Sequence, residues 1–221
     1  MIDTGAVSWV VEHRAGSAQA LHDAEIAAAG RRVVVHDVLG PAVVLGSTQD
    51  ESIVDAAAAR AVGFDVARRR SGGGAILLIP DAQVWVDVFV PAGDPLWDDD
   101  VCRASWWLGE AWAAALGVGE VHRSGVTDRD AGRVACFAAV GPGEVVHGGA
   151  KVLGISQRRT RMGARFQCVA YREWNGPLLL DLLDLLDSAV VGAVTEALVE
   201  RSAAAVPAGW GVVEDLLPHL P

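Results

Sequence analysis

The sequence predicts an α+β fold, a mixed and largely antiparallel sheet with helices packed on it. Three observations predict it. Short apolar runs separated by Gly/Pro turns read as strands. Alanine- and leucine-rich stretches read as helices. The two kinds follow one another without the regular strand–helix–strand rhythm of a parallel sheet. With 52% hydrophobic and 21% charged residues among 221, the composition is that of a globular chain with enough apolar material for a sizeable core. We read residues 1–221 as one domain that ends in a helical segment over about 178–221.

The elements follow in order. Ser17 is placed to cap a helix over 17–29, with Leu21, Ala24 and Ala28 on one face and Gly30 as its stop. Strands come next at 33–38 and 42–46, turned by Gly40-Pro41. The alanine-rich, breaker-free stretch 51–62 predicts a helix ended by Gly63. A short strand at 64–68 leads into RRRSGGG, and further strands are expected at 75–79 and 83–90. The last of these, QVWVDVFV, carries apolar groups on both faces, which predicts burial on both. Asp98, Asp99 and Asp100 suit a helix N-terminus. That helix would run to about Leu116, with Val101, Leu108, Ala111, Trp112 and Ala115 on its apolar side and Gly117 as its cap. The second half predicts short strands near 134–139, 144–147, 151–156 and 165–170. Residues 178–200 are the longest helical stretch, one helix or two, with a polar stripe from Asp181, Asp184 and Asp187. A last short helix follows in PAGWGVVEDLLPHL.

Charge narrows the function. With 28 acids against 18 bases the net charge is −10, a poor match for a broad nucleic-acid surface. No apolar run approaches the roughly 18–20 residues of a spanning helix, and the first residues lack the pattern of a secretory leader. No membrane partner is expected, and a cytoplasmic location is the default. Cys102, Cys136 and Cys168 form no CxxC pair, and the six histidines do not cluster, so neither a disulfide scaffold nor a metal motif is expected. The bases are uneven, with Arg68-Arg69-Arg70 and Arg158-Arg159 plus Arg161 as tight groups. Such concentrated arginine reads either as a solvated run or as a local site for a carboxylate or phosphate.

Two segments carry chemistry. In RRRSGGGA at 68–75, three consecutive glycines between strand-like flanks would only weaken a sheet unless something approaches the backbone closely. An elongated acyl chain lying on bare backbone, its acidic end near guanidinium groups, fits that need, and a plain glycine-rich hairpin is the alternative. No GK[ST] follows, so it is no Walker A loop, and GxGxxG spacing is absent. In GGAKVLGISQRR at 148–159, Lys151 is placed to set a point charge on a carbonyl or phosphoryl oxygen, Gly154 permits close approach, and Ser156 and Gln157 add polar groups. A solvated strand lysine is the alternative.

Together, Arg68-Arg69-Arg70-Ser71-Gly72-Gly73-Gly74 and Lys151-Val152-Leu153-Gly154-Ile155-Ser156-Gln157 resemble the paired motifs of the lipoate-protein ligase A and octanoyltransferase family, which is related to biotin protein ligases. Gly46 and Gln49, in PAVVLGSTQDES, are similar to a further family segment, and the resemblance covers roughly 15–185. It implies a biotin/lipoate ligase-like catalytic domain with the acyl chain in a tunnel walled by Gly72, Gly73 and Gly74. It also implies acyl or adenylate contacts from Arg68, Arg69, Ser71, Gly154 and Gln157. Lys151 would contact the oxygens of an acyl adenylate made from ATP with Mg2+. Glu144 falls near the family's Asn-Asp pair, on the phosphate or metal side. Cys136, in Cys136-Phe137, matches the nucleophile of the transferase branch, and a thiolate attacking an octanoyl thioester is sound chemistry. The chain departs from the pattern in three places. It lacks a His-Asp dipeptide after the glycines, it reads Phe166-Gln167-Cys168-Val169-Ala170 where His-Gly-Ser/Thr is expected, and it lacks the Asn before Glu144.

Three functions are thus expected in descending order. The first is an ATP-dependent ligase attaching lipoate or octanoate to a lysine of a lipoyl-carrier domain. The second is an ATP-independent octanoyltransferase using Cys136. The third is a non-catalytic acyl-binding relative.

Overall fold

The structure, a computed structural model, describes residues 8–27, 29–185 and 188–221. Its larger sheet has seven strands among the described residues. In spatial order they are β1 (Val10–Gly16), β2 (Arg32–Val38), β6 (Gln83–Pro91), β10 (Gly163–Tyr171), β9 (Ala150–Thr160), β8 (Val145–His147) and β7 (Glu120–Val121). Only β1 and β2 pair in parallel; the other neighbours are antiparallel. A smaller sheet runs β4 (Asp65–Arg68), β3 (Ala42–Leu45), β5 (Ile76–Leu78), parallel and then antiparallel. It is made by the chain between β2 and β6, which are neighbours in the larger sheet, with His36 opposite Trp85.

The double-sided character of β6 explains this layering. Every residue from Val84 to Val90 is buried. One face is covered by α3 (Trp106–Leu116) and the C-terminal segment, through Leu108, Trp112, Trp210 and Leu216. Trp112 and Trp210 stack there at 5.3 Å. The other face meets the small sheet, α5 (Gly176–Leu182) and α6 (Ser188–Glu200). Asp87 is the polar exception on β6. It accepts hydrogen bonds from His36 Nε2 at 2.8 Å, Trp85 Nε1 at 3.1 Å and Arg165 Nε at 2.8 Å. Burial opposes its charge, yet the His36 hydrogen bond and the Arg165 guanidinium hold its carboxyl below the usual carboxylate range.

Several sequence expectations change. The first helix, α1 (Ala18–Asp23), is capped by Ser17 as expected but ends at Ala24, whose backbone is extended; Ala28 lies outside the described residues. The expected helix 51–62 is broken by Asp55. Its carboxylate caps α2 (Ala56–Ala61), leaving a separate 3-10 turn at Glu51–Ile53. Asp100 caps the 101–105 turns instead of a long helix, and Val101 is exposed. The expected strand at 134–139 is instead the end of α4 (Arg129–Val134) followed by a 3-10 turn at Cys136–Ala138. The continuous apolar run there packs as a corner, because Asp128 starts a helix that the strand reading overlooked. The stretch 178–200 is two helices, with Asp187 outside the described residues. Strand β1 had no counterpart in the sequence reading. Among the described residues, no helix is long and apolar enough to cross a membrane.

Candidate active site

A cavity of about 770 Å³ opens where the loops of the small sheet face α4 and β9. Its walls include Gln49, Gly72, Gly73, Cys136, Glu144, Lys151, Ser156 and Gln157, and Arg129 and Arg133 stand on its α4 side. Four sequence-distant segments therefore meet in one place.

Lys151 is the most constrained group in it. It is the second residue of β9, and its backbone is bonded to Arg201 and Ala203. Its side chain is 2% exposed and donates to Cys136 O at 2.7 Å and Ala139 O at 2.8 Å. The third proton meets Glu144 Oε2 at 2.6 Å. Glu144 accepts in addition from Gly141 N at 2.7 Å and Ile155 N at 3.0 Å. The lysine thus carries its charge into a nearly closed cage of three oxygens, and the glutamate neutralises it. A substrate oxygen reaches Lys151 only by replacing one of these acceptors.

Cys136 belongs to the same corner. Its Sγ lies 3.9 Å from Lys151 Nζ and lines the cavity. Ser202 Oγ donates to Phe137 O at 2.9 Å and fixes the turn that carries the thiol. Burial pushes Arg69 down from its usual range, and the Cys136 thiol and Tyr171 hydroxyl act against that shift.

The three glycines do three different things. Gly72 faces open space, so a side chain there would enter the cavity. Gly73 has φ +97, a left-handed conformation, and its carbonyl lies where a Cβ on Gly46 would be, 1.9 Å away. Gly74 packs on the backbone of Ala135, where a Cβ would come within 2.5 Å of the amide nitrogen. The next residue, Ala75, bridges Ala135 in parallel, and Cys136 N donates to Ala75 O at 2.9 Å. The triple glycine is what lets the small sheet press against the cysteine turn.

Both motif arginines are engaged with backbone carbonyls. Arg68 donates to Gly46 O at 2.9 Å and Gln49 O at 2.7 Å and faces a separate cavity beside Arg70 and Arg158. Arg69 is buried and binds Gly72 O at 2.8 Å and Gly74 O at 2.9 Å, pinning the glycine loop from beneath. Neither guanidinium lines the large cavity. Arg129 and Arg133, which do, carry no sequence motif and went unnoticed. Gln49 accepts from Gly46 N at 2.9 Å and donates to Arg133 O at 2.8 Å and Val134 O at 3.0 Å, stapling the small-sheet loop to the end of α4.

Ser71 and Gly154 lie deeper. A narrow recess of about 30 Å³ is lined by His22, Arg69, Ile76, Leu78, Trp85, Cys136, Gly154, Ser156, Gln167 and Val169. Ser71 Oγ donates to Gln167 Oε1 at 2.7 Å and contacts Ser156 Oγ at 2.9 Å. A Cβ on Gly154 would press on the Phe137 ring at 3.0 Å. Gln157 lines the large cavity and donates to Val101 O at 3.2 Å. His22, which the sequence offered only as one helix residue among others, is buried against Trp85, with ring centroids 4.4 Å apart. Burial is the main reason that its pKa falls to about 3. Among the described residues, no group of three or more His, Cys, Asp or Glu side chains converges as a metal cage.

Known proteins place this architecture. The chain superposes on lipoate-protein ligase A bound with ATP at a TM-score of 0.66 and 15% identity, covering 96% of this chain and 81% of that one. A bi-partite lipoate protein ligase from Thermoplasma acidophilum, studied with its E2 lipoyl domain, gives 0.64 and 15%, covering 94% and 80%. A T. acidophilum protein with bound lipoic acid gives 0.59 and 15%, covering 87% and 84%. At this identity the likeness concerns the fold. No curated protein matches the sequence. The family model described as the lipoyl protein ligase A/B catalytic domain matches residues 19–195, and the chain belongs to that family.

Proposed function

We propose that the chain is an ATP-dependent acyl-protein ligase of the lipoate class, acting over its length as one catalytic domain. The carrying observation is the cavity of about 770 Å³ with a buried lysine at its floor, bare glycine backbone in its wall and two arginines beside it. That volume lies in the upper part of the range of about 300–1,000 Å³ typical for ligand pockets, enough for an acid joined to a nucleotide. In this reading a carboxylate oxygen of lipoate or octanoate attacks the α-phosphorus of ATP, and pyrophosphate leaves. The neutral ε-amine of a carrier-domain lysine then attacks the acyl carbon, AMP leaves with the electron pair of the broken acyl–oxygen bond, and the nitrogen gives up one proton to solvent.

Lys151 would steady the acid's oxygen by giving up one carbonyl partner, an electrostatic role suited to a dry pocket. Gly72 and Gly73 would let the acyl chain lie close to backbone. Arg129 and Arg133 would take the phosphates. Mg2+ would arrive with the triphosphate, whose charge it screens. Glu144 already has three donors on its carboxylate, which makes it the anchor of Lys151 first and a metal ligand only at the cost of that cage.

The test is adenylate formation by the purified chain with ATP and Mg2+, using lipoate, octanoate and biotin side by side, followed by transfer to a lipoyl domain. Lipoate or octanoate should give the mixed anhydride. No adenylate from any acid would overturn the proposal.

One observation favours a second reading. The Cys136 thiol sits in the same cavity, 3.9 Å from the Lys151 ammonium. An octanoyltransferase would move the acyl group from a thioester to this sulfur and then to the carrier lysine. Cys136→Ser separates the two, because a ligase keeps adenylate formation and transfer, whereas a transferase loses acyl transfer altogether. An acyl-binding relative without catalysis would bind the acid and do neither.

A further inference from the structure

The narrow recess behind the cavity differs from a plain hydrocarbon slot. It shares Cys136 and Ser156 with the large cavity and so continues it inward between the two sheets. Most of its wall is apolar, from Ile76, Leu78, Trp85, Gly154 and Val169. His22, Arg69, Ser156 and Gln167 interrupt that wall, Arg69 with its guanidinium bound to the Gly72 and Gly74 carbonyls.

Their hydrogen bonds fix which atoms are spare. Ser71 donates to Gln167 Oε1, so the amide nitrogen of Gln167 faces His22 Nδ1, at 3.2 Å. An amide nitrogen only donates, so Nδ1 accepts. The neutral ring must then carry its proton on Nε2. That N–H has no partner among the described residues, although His22 is only 5% exposed. A buried donor without an acceptor is costly and rare. The recess of about 30 Å³ has room for one group about the size of a water molecule.

We propose that His22 selects the acid. The recess takes a carboxylic acid whose buried end carries a hydrogen-bond acceptor, such as a carbonyl oxygen, in preference to an unsubstituted alkyl end. This rests on the reading of the large cavity as the site of an activated acid. The acceptor meets His22 Nε2–H, and the chain from Ser71 through Gln167 holds the ring in the tautomer that donates. Trp85 supports the ring from its face, and Asp87 lies beneath Trp85, accepting its indole N–H. The polar end of the tunnel therefore rests on a second buried polar group.

The test is calorimetric titration of the full chain, without nucleotide, with a ladder of straight-chain saturated acids and of acids of equal length bearing a penultimate ketone. At the length that reaches the recess, the keto acid should bind about ten-fold more tightly, the value of one satisfied hydrogen bond. His22→Phe should abolish that preference. His22→Gln, which keeps an N–H donor, should retain part of it and serves if the phenylalanine variant does not fold. Plain acids binding as well as keto acids at every length would overturn the proposal and would leave a fixed water as the partner of His22. No binding of either series would also overturn it. A chain that binds the keto acids but makes no adenylate keeps this inference and loses the ligase. A chain that adenylates plain acids without preference does the reverse.

Discussion

Replacing Glu144 by glutamine removes one charge from a pair that solvent scarcely reaches, with side-chain exposures of 2% for Lys151 and 6% for Glu144. At 2.6 Å and an effective dielectric constant near 20, the gross attraction is about 6 kcal/mol. Part of it offsets the desolvation of both ions, and breaking such a pair costs about 3–5 kcal/mol because the remaining charge stays buried. Glutamine, with its oxygen in the place of Oε2, still serves Lys151 and Gly141 N and loses only Ile155 N, which places the loss at the low end, about 3 kcal/mol. For a chain of this length each kcal/mol lowers Tm by about 2–4 °C, so a fall of about 6–12 °C is expected. Urea unfolding followed by tryptophan fluorescence measures the free-energy loss, and a thermal scan measures the shift in Tm. The double variant Glu144→Gln with Lys151→Met should be less destabilised than the sum of the single changes by about 2 kcal/mol, since no charge is then stranded. If Glu144→Gln unfolds within about 0.5 kcal/mol of the native chain, the pair is not a buried one and the caged lysine is refuted.

Other outcomes follow from single positions. Gly74→Ala forces a methyl against the Ala135 backbone and should cost about 1–3 kcal/mol, whereas Gly72→Ala meets open space and should change stability by less than about 0.5 kcal/mol while narrowing the cavity. Unfolding midpoints and acid affinity of the two variants should therefore move in opposite ways. His22 is neutral in the folded chain down to about pH 3 but takes up a proton near pH 6.5 when unfolded. The unfolded state binds more protons in that window, so stability should fall with decreasing pH by about 1.4 kcal/mol per unit from this group. His22→Phe should flatten the slope between about pH 6 and pH 4 in the same urea assay, and an unchanged slope would count against a buried neutral ring. Arg129→Ala with Arg133→Ala should raise the KM for ATP about thirty-fold with little change for the acid, because each lost charge-assisted contact is worth about 1 kcal/mol at an exposed position.

The two chemistry-bearing segments were legible because both depart from ordinary strand composition, and residues of both line the large cavity. Three glycines in a strand region and a lysine flanked by glycines stand out in sequence, and the structure shows that Gly73 and Gly74 answer to close backbone packing on Gly46 and Ala135. The sheet-rich fold was legible from the apolar runs, above all QVWVDVFV, whose double-sided burial the structure bears out. What was not legible depended on partners far away in sequence. Arg68 and Arg69 look like anion binders from sequence, and nothing in the sequence signals that Arg68 Nη1 and Arg69 Nη2 bind the Gly46, Gln49, Gly72 and Gly74 carbonyls. Residues 134–139 read as a strand because their apolar spacing is ambiguous over so short a run, and the deciding cap, Asp128, lies upstream. His22 carried no signal at all, since its meaning comes from Gln167, 145 positions later.

The small sheet is inserted between two adjacent strands of the large one, and this bears on how the protein reaches its working state. Residues 39–82 leave and rejoin the large sheet at neighbouring points, beside the His36–Trp85 pairing. The strand that closes this excursion, β6, must also pair with β10, whose register runs from Gly163 against Pro91 to Tyr171 against Gln83. Contacts of such long sequence separation form late and slowly. The cavity, which needs both sheets and α4, should be the last feature to mature during refolding. Recovery of acid binding should therefore lag behind recovery of β-sheet signal, and a chain caught between the two would be folded in outline yet unable to hold its substrate.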